Sequence, residues 1–215
     1  GPYLKKKFSM PVYINNDGDL YAYGEALGGL LPEVNEMLDD YGNRKRYRNL
    51  VGFTLGTGLG IGVVANGELN RGDNSCIEMF SIPLKGRPDV IAEEGISIRA
   101  VKRMYGELSG NPDHGLSPKD IFEIAEGVKE GDMEAAKGAF AQLGAALGDV
   151  IAMTVSIIDG LVVIGGGLAG AYKYIKDSMF ESIRGKMKRL NGEEINKLAS
   201  KVYDLDDKEE LRQFL

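Results

Sequence analysis

The chain has 215 residues, of which 43% are hydrophobic and 27% charged, a composition typical of a globular domain with a sizeable core. Its net charge of −6 argues against nucleic-acid and acidic-membrane partners, because both require a basic face. The single cysteine, Cys76, excludes an intrachain disulfide and a cysteine-rich zinc site. With no apolar run of about 20 residues and no signal peptide at its start, we expect a cytoplasmic protein without a membrane partner.

The first quarter of the chain predicts a strand, a polar turn and a helix. Residues 11–14 are apolar and β-favouring, and the segment NNDG at 15–18 indicates a turn or a helix start. A helix is predicted over residues 20–31, weakened at its end by two glycines and a proline. Residues 41–48 form a polar, basic connector.

A glycine-rich segment, TLGTGLGIG at residues 54–62, follows the connector. It lies between two apolar runs and predicts two strands joined by a turn, with Asn66–Gly67 as a second tight turn. Glycine permits close approach of a ligand, and free backbone N–H groups form a concave anion site, so one interpretation is a phosphate loop. A plain glycine-rich hairpin without a ligand is equally consistent with the pattern.

Helical spacing begins near residue 90 and is predicted to end near Gly106. The loop at 111–115 contains His114, to which we assign no catalytic role because no Ser or Cys partner is in view. Ser117 and Pro118 predict the start of another helix, through a capping hydroxyl and a proline at the first helical position. The apolar face of the first of these helices comprises Ile91, Ile98, Val101 and Met104.

A long helix is predicted over residues 133–158, and a stripe of small residues on it would let another helix approach closely. A buried strand over 161–164 leads through three glycines into a helix over 171–190. The chain is predicted to end in a strand at 202–203 and an acidic tail that frays. Helices that follow strands indicate α/β layers. The small residues of the stripe are Gly138, Ala141, Ala145 and Gly148.

The segment GGGLAG at 165–170 formally matches the dinucleotide pattern G-x-G-x-x-G between a strand and a helix. A dinucleotide domain needs further strand–helix units, and too few residues follow. Two glycine turns, one in a hairpin and one at a helix start, are better suited to a nucleotide held from two sides than to a dinucleotide. A dinucleotide-binding oxidoreductase stays as the alternative.

Carboxylates near these segments are the candidate acid–base groups. Asp17 follows an apolar run, and if a nucleotide is bound it could accept the proton of an attacking hydroxyl. The alternative for Asp17 is a turn or a helix cap. Glu78, Glu93 and Glu94 lie among apolar residues and could hydrogen-bond hydroxyl groups, or they could be ordinary solvated carboxylates.

Taken in order, five segments resemble the ROK family of sugar kinases and sugar-responsive repressors, within the actin/hexokinase superfamily. Their order and spacing make the resemblance more specific than any single motif. The segments are PVYINND at 11–17, YAYGE at 21–25, GTGLGIG at 56–62, NGEL at 66–69 with Gly72, and VIGGGL at 163–168.

The resemblance implies an α/β, ribonuclease H-like (actin-like ATPase) lobe with a mixed sheet and flanking helices. It also implies ATP-dependent phosphorylation of a hexose or hexosamine, with Mg²⁺, ATP and the sugar in a cleft, and a homodimer. Asp17 matches the family's catalytic base and Asn16 its sugar-binding amide. The resemblance places sugar contacts at Glu78, Ser81 and Glu93, with Glu94 if the register slips by one. It places phosphate contacts at Gly56, Thr57, Gly58 and Gly60, and adenosine contacts at Gly165, Gly166, Gly167 and Leu168.

The chain departs from the family pattern in three places. Ser81 stands where the family has a histidine, and residues 83–92 lack its cysteine cluster, so structural zinc is not expected. The family's first phosphate loop does not occur in the sequence. We therefore expect residues 1–215 to be a single domain, the large C-terminal lobe of such a kinase, and to be weakly active or inactive alone. A sugar-sensing regulator and a non-catalytic sugar-binding relative remain alternatives.

Overall fold

The computed structural model describes residues 1–12, 14–75, 77, 82–113 and 115–215. Three helices come first: α1 (Pro2–Phe8), α2 (Asp17–Gly28) and α3 (Leu30–Asp40). The side-chain oxygen of Asn16 accepts the Gly18 N–H at 2.8 Å, so that α2 begins three residues earlier than predicted. The predicted strand at 11–14 is wrong, since residues 11, 12 and 14 belong to no strand. Ile14 is 72% exposed there, with no described strand beside it to complete a ladder.

Five strands follow the connector among the residues that the structure describes. The predicted hairpin at the glycine-rich segment is confirmed, and its second turn has positive φ at both Asn66 (56°) and Gly67 (85°), as a tight hairpin turn requires. A separate two-stranded hairpin comes next in the chain. The strands are β1 (Leu50–Leu55), β2 (Leu59–Ala65), β3 (Glu68–Leu69), β4 (Pro83–Leu84) and β5 (Arg87–Ile91).

Ile91 ends β5 and does not belong to the helix predicted near residue 90, because a short 3-10 turn, Ala92–Gly95, intervenes. Ser97 then caps the next helix with its hydroxyl oxygen, 3.2 Å from the Ala100 nitrogen. The helix start at Ser117 is confirmed, with a full capping box. The helices are α4 (Ile98–Ser109), α5 (Pro118–Ala125) and α6 (Met133–Val155).

The last third of the chain adds the edge strand that pairs in parallel with β1, and it ends in a packed helix. The predicted helix after the three glycines ends at Ile183 instead of residue 190, and a short hairpin begins at Lys186. The predicted strand at 202–203 and the fraying tail are wrong. Phe214 stacks on Tyr47 with ring centroids 5.7 Å apart, which anchors the last helix. The elements are β6 (Leu161–Gly165), α7 (Tyr172–Ile183), β7 (Lys186–Lys188), β8 (Glu194–Asn196) and α8 (Lys208–Phe214).

The main sheet is mixed and has the order β3-β2-β1-β6, with β1 antiparallel to β2 and parallel to β6. Strand residues alternate between its two faces. Val51 and Phe53 belong to the main core with α4–α7, whereas Leu50 belongs to a second core with α2 and α3. The sheet is thus the middle of three layers.

α6 is the central helix of the main core. A Cβ added to its Gly148 would lie 2.8 Å from the Cβ of Ser182 in α7, so the prediction that its small residues admit another helix is confirmed at this position. Gly138, in the same predicted stripe, faces Leu108 of α4 instead. Within the described part of the chain, α6 alone is long and apolar enough to cross a membrane, but more than half of its apolar stretch is buried, as in the core helix of a soluble protein.

Candidate active site

The two glycine turns lie side by side at one edge of the sheet. β1 and β6 are parallel neighbours with Thr54 opposite Gly165, so the turns that follow them start at the same edge. The Leu168 N–H donates to the Leu55 carbonyl oxygen at 3.1 Å and ties the second turn to the start of the first. The two glycine turns are therefore neighbours in space at this edge of the sheet.

The first turn, residues 56–58, is held by the structure around it. The Gly56 N–H donates to the Gly58 carbonyl at 3.0 Å, and the Gly56 carbonyl accepts from the Ile98 N–H at 2.9 Å. Thr57, at the tip, is exposed. The turn is thus a defined loop whose tip faces solvent.

Two side chains from the segment after β5 contact this turn. One carboxylate oxygen of Glu93 accepts the Leu59 N–H at 3.1 Å, and the other accepts from Arg99 at 3.0 Å. Arg99 also donates to the Thr57 carbonyl at 3.1 Å and to Glu94 at 3.0 Å. Arg99 was not predicted as a site residue, and nothing in the sequence around it marks it as one.

The second turn exposes backbone at Gly166 and Gly167. Gly166 has φ of +90°, a conformation that favours glycine, and Gly167 has no heavy atom within 4 Å of where a Cβ would be. Leu168 is 4% exposed and its side chain belongs to the main core, so the surface that the turn offers is mostly backbone. Tyr21 of α2 covers Gly165, with its Cζ atom 2.6 Å from where a Cβ would be.

Asp17 is the first residue of α2 and is exposed. The next residue, Gly18, has its Cα 3.8 Å from where a Cβ on Gly60 of β2 would be. The helix reaches this position because its Gly18 lies directly against β2: a Cβ there would be 2.8 Å from the Ile61 carbonyl oxygen. One Asp17 oxygen accepts the Gly18 N–H at 3.0 Å. Asn16 uses its side-chain oxygen for the helix cap, so its amide NH₂ is the group that a hydroxyl could contact.

Asp19 is a second carboxylate in the first turn of α2, and it was not predicted. Partial burial raises the pKa of Asp19, and the positive charge of Arg71 offsets only part of that effect. Gly60, predicted as a phosphate contact, faces the Thr54 hydroxyl, and its surroundings indicate packing at that position. The first turn of α2 therefore carries two acidic groups, Asp17 and Asp19.

Glu78 and Ser81 lie outside the described residues, as do Cys76 and His114. Among the residues that the structure does describe, no group of three or more His, Cys, Asp or Glu side chains could hold a metal ion. Residues 83–92, where the family resemblance leads one to look for cysteines, form the β4–β5 hairpin and the start of the 3-10 turn.

Known proteins similar to this chain include kinases and repressors. A glucokinase from Parabacteroides distasonis, known from a crystal structure, is 48% identical with a TM-score of 0.88, and the match covers 100% of this chain and 58% of that one. A beta-glucoside kinase from Listeria monocytogenes is 28% identical over 126 residues, which are 56% of this chain and 38% of the kinase. A xylose repressor from Bacillus spizizenii is 33% identical over 70 residues, 33% of this chain and 15% of the repressor.

The chain thus spans less than two thirds of each of these relatives. The expected fold class, an α/β lobe of the actin-like ATPase type with a mixed sheet and flanking helices, is confirmed. The sequence pattern of the ROK family matches residues 2–204. Because the match extends over nearly the whole chain, this protein belongs to the ROK family.

Proposed function

We propose that this chain is the large C-terminal lobe of a kinase that transfers phosphate from ATP to a hydroxyl of a hexose or hexosamine. The observation that carries the proposal is that two glycine turns lie side by side at one edge of the sheet, and that the start of α2, at Asp17 and Gly18, packs against β2 near the same edge. The 48% identity to a glucokinase supports it. Since the chain spans 58% of that glucokinase, the activity is proposed for the full-length protein, and this chain alone is expected to be weakly active or inactive.

The backbone N–H groups of the two turns would bind ATP, the first turn at the phosphates and the second beside the adenosine. Backbone amides that are already in place stabilise developing phosphate charge without reorganising. Mg²⁺ is commonly held by one or two carboxylates together with substrate phosphates. Asp19, the other carboxylate in the first turn of α2, fits this donor set, and the ion would neutralise charge on the transferred phosphate.

Asp17 would be the general base. Its carboxylate accepts the proton of the sugar hydroxyl, whose oxygen bonds to the γ-phosphorus as the bond from that phosphorus to ADP breaks. One oxygen of the exposed Asp17 carboxylate accepts the Gly18 N–H. This hydrogen bond orients the carboxylate and leaves its second oxygen for the sugar hydroxyl. Sugar contacts are proposed for Asn16 and, from the family resemblance, for Glu78, Ser81 and either Glu93 or Glu94. A homodimer and a cytoplasmic location stay predictions.

The test is ADP release from Mg-ATP by the full-length protein across a panel of hexoses and N-acylated hexosamines. Asp17→Asn should lower sugar-dependent turnover by about 10²-fold or more, since the amide cannot take up the proton. Asp40→Asn, at the exposed end of α3, is the matched control and should leave turnover unchanged. Turnover that survives in Asp17→Asn would refute the assigned base.

A sugar-sensing transcriptional regulator is the second candidate, and the match to a xylose repressor favours it. DNA contact would have to come from a part of the full-length protein other than this acidic chain. A folded protein that binds a sugar but releases no ADP with any sugar would support the regulator over the kinase.

A further inference from the structure

We propose that the β4–β5 hairpin is a metal-free support that positions the 3-10 turn, Ala92–Gly95, for sugar binding, with Leu84 and Lys85 as the positioning residues. The inference rests on the proposed function in one respect, the sugar contact made by Glu93 or Glu94 of this turn. It goes beyond that function by naming the residues that hold the turn in place.

The hairpin occupies the stretch in which the family resemblance leads one to look for a zinc cluster. A structural zinc site is closed by cysteine and histidine ligands. Residues 83–92 contain neither residue type, and their single carboxylate, Asp89, is accompanied by two cations, Lys85 and Arg87. This donor set does not fit zinc. The order that a bound ion would give this segment therefore has to come from contacts within the protein.

The first contact is the packing of Leu84 against the turn. A Cβ added to Gly95, the last residue of the turn, would lie 2.6 Å from the Cδ1 atom of Leu84 and 3.0 Å from the Cβ of Ala146 in α6. Gly95 therefore lies against both the hairpin and the central helix, with no room for a side chain. The Ala92 N–H donates to the Ile82 carbonyl at 2.8 Å, so the start of the turn is also joined to the base of the hairpin.

The second contact joins the tip of the hairpin to a buried carboxylate. The Nζ atom of Lys85 lies 3.5 Å from Oδ2 of Asp149 in α6, whose side chain is 9% exposed. Oδ1 of Asp149 accepts from Ser182 and Lys197, whereas the buried Oδ2 has no hydrogen-bond partner among the described residues. Because a buried carboxylate oxygen is costly without compensation, the charge of Lys85 favours this position of the hairpin.

The two contacts hold the hairpin against one face of α6, since Ala146 and Asp149 are neighbours on the helix surface. The hairpin in turn holds the 3-10 turn on which Glu93 and Glu94 lie. A carboxylate binds a hydroxyl only within a narrow range of distance and angle, so a small displacement of the turn reduces affinity. Loosening the hairpin should therefore weaken sugar binding more than ADP binding.

The experiment compares Leu84→Ala with the wild type in the full-length protein, with glucose as the sugar probe. Titration calorimetry measures the affinities for glucose and for ADP, and hydrogen exchange follows the amides of residues 92–96. Leu108→Ala is the matched control, because Leu108 also packs against a small residue of α6, Gly138, about 12 Å along the helix from Ala146. We expect Leu84→Ala to weaken glucose binding about tenfold, to change ADP binding less than about twofold, and to speed exchange in the turn.

A second pair of variants changes the exposed Lys85 side chain and decides the matter where Leu84→Ala does not fold. Lys85→Gln should weaken glucose binding about threefold, and Lys85→Arg, which keeps the charge, should restore it. Unchanged glucose affinity in Leu84→Ala, or in Lys85→Gln where the first variant does not fold, would overturn the proposal. An equal loss of glucose and ADP affinity would overturn it as well.

Metal analysis tests the replacement of zinc separately. We expect no bound zinc in the purified full-length protein and the same glucose affinity before and after treatment with a chelator. Stoichiometric zinc whose removal weakens glucose binding would contradict a metal-free support. If the wild type binds no glucose and phosphorylates no sugar, the proposed function fails, but exchange in residues 92–96 of Leu84→Ala still decides whether the hairpin holds the turn.

Discussion

Gly18 of α2 lies directly against Gly62 of β2, and this contact determines how closely the helix that carries Asp17 approaches the sheet. A Cβ on Gly62 would overlap the Gly18 carbonyl oxygen and lie 2.6 Å from the Cβ of Ala22. The glycines of the TLGTGLGIG segment thus have two different roles. Gly62, in the strand, admits the helix, whereas Gly56, in the turn, has open space where a side chain would lie.

Gly62→Ala should therefore lower stability, by about 1–3 kcal/mol, because both neighbours of the new methyl group belong to the α2 helix and cannot move independently. Gly24→Ala is the matched control on the same helix. Its Cβ would meet nothing within 4 Å, and alanine in a helix interior should raise stability by about 0.5–1 kcal/mol. Urea unfolding of the two variants measures both changes in the free energy of unfolding. Equal stability of the two variants would contradict the packing role of Gly62.

The turn glycines give the opposite expectation. A Cβ on Gly56 or Gly167 would meet no heavy atom within 4 Å, and neither residue has positive φ, so alanine fits the protein at both positions. If phosphate approaches this backbone closely, Gly56→Ala and Gly167→Ala should weaken ADP binding about tenfold without loss of stability. Gly28→Ala, equally open but about 16 Å along α2 from Asp17, is the control.

Two measurements on the same three variants distinguish a phosphate loop from a plain hairpin. Titration calorimetry gives the affinity for ADP, and urea unfolding gives the stability. Weaker binding with unchanged stability at Gly56 supports a phosphate loop. The protein itself accommodates the added methyl group, so the group can only interfere with a ligand that approaches the backbone. Unchanged ADP binding at both turn positions would therefore support the plain hairpin.

Asp149 of α6 and Lys197 form an ion pair that is 9% and 13% exposed. Ser182 donates to the same Asp149 oxygen at 2.8 Å, so the group fastens the segment after β8 to two core helices. Asp149→Ala should cost about 3 kcal/mol, because it leaves the Lys197 ammonium without its partner. Glu107→Ala, which breaks an exposed pair with Arg103, should change stability little. A cost for Asp149→Ala no larger than for Glu107→Ala would refute the role of the buried pair.

The sequence predicts the parts of this fold that depend on local patterns. The β1–β2 hairpin, β6 and α6 are confirmed, because each combines an apolar run with a turn or a helical period of its own. The strand at 11–14 was predicted from β-propensity alone, and no described strand lies beside it. α3 was missed because Pro32 was taken as a helix end. It is the third residue of α3, in the first turn, where a proline costs no hydrogen bond.

The candidate site could be predicted only in part for a related reason. The two glycine turns and Asp17 are visible as short motifs, and the parallel pairing of β1 with β6 brings the turns together. The contact between Glu93 and Leu59 joins residues 34 positions apart, and no local pattern encodes it. Asp19 was missed because its raised pKa comes first from partial burial, with Arg71 offsetting part of it, and neither tertiary effect is visible in the local sequence.

Stability should also depend on pH through Asp149. Burial by itself raises the pKa of Asp149, but the hydrogen bonds from Lys197 and Ser182 and the charges of Lys197 and Lys85 outweigh burial and hold the pKa below the ordinary value. A carboxylate with a lowered folded-state pKa contributes stability above the unfolded-state value of about 3.9, and the contribution is lost as pH falls through the folded-state value.

Asp149→Asn removes this titration. The difference in unfolding free energy between wild type and Asp149→Asn should therefore be full at pH 7 and shrink as the pH falls below about 4. Urea unfolding at pH 7, 5, 4 and 3 measures the difference. A value that stays constant down to pH 3 would mean that the ion pair does not favour the carboxylate over its protonated form. A value that shrinks already between pH 7 and 5 would point to a raised pKa, because only a group that titrates in that range can produce it.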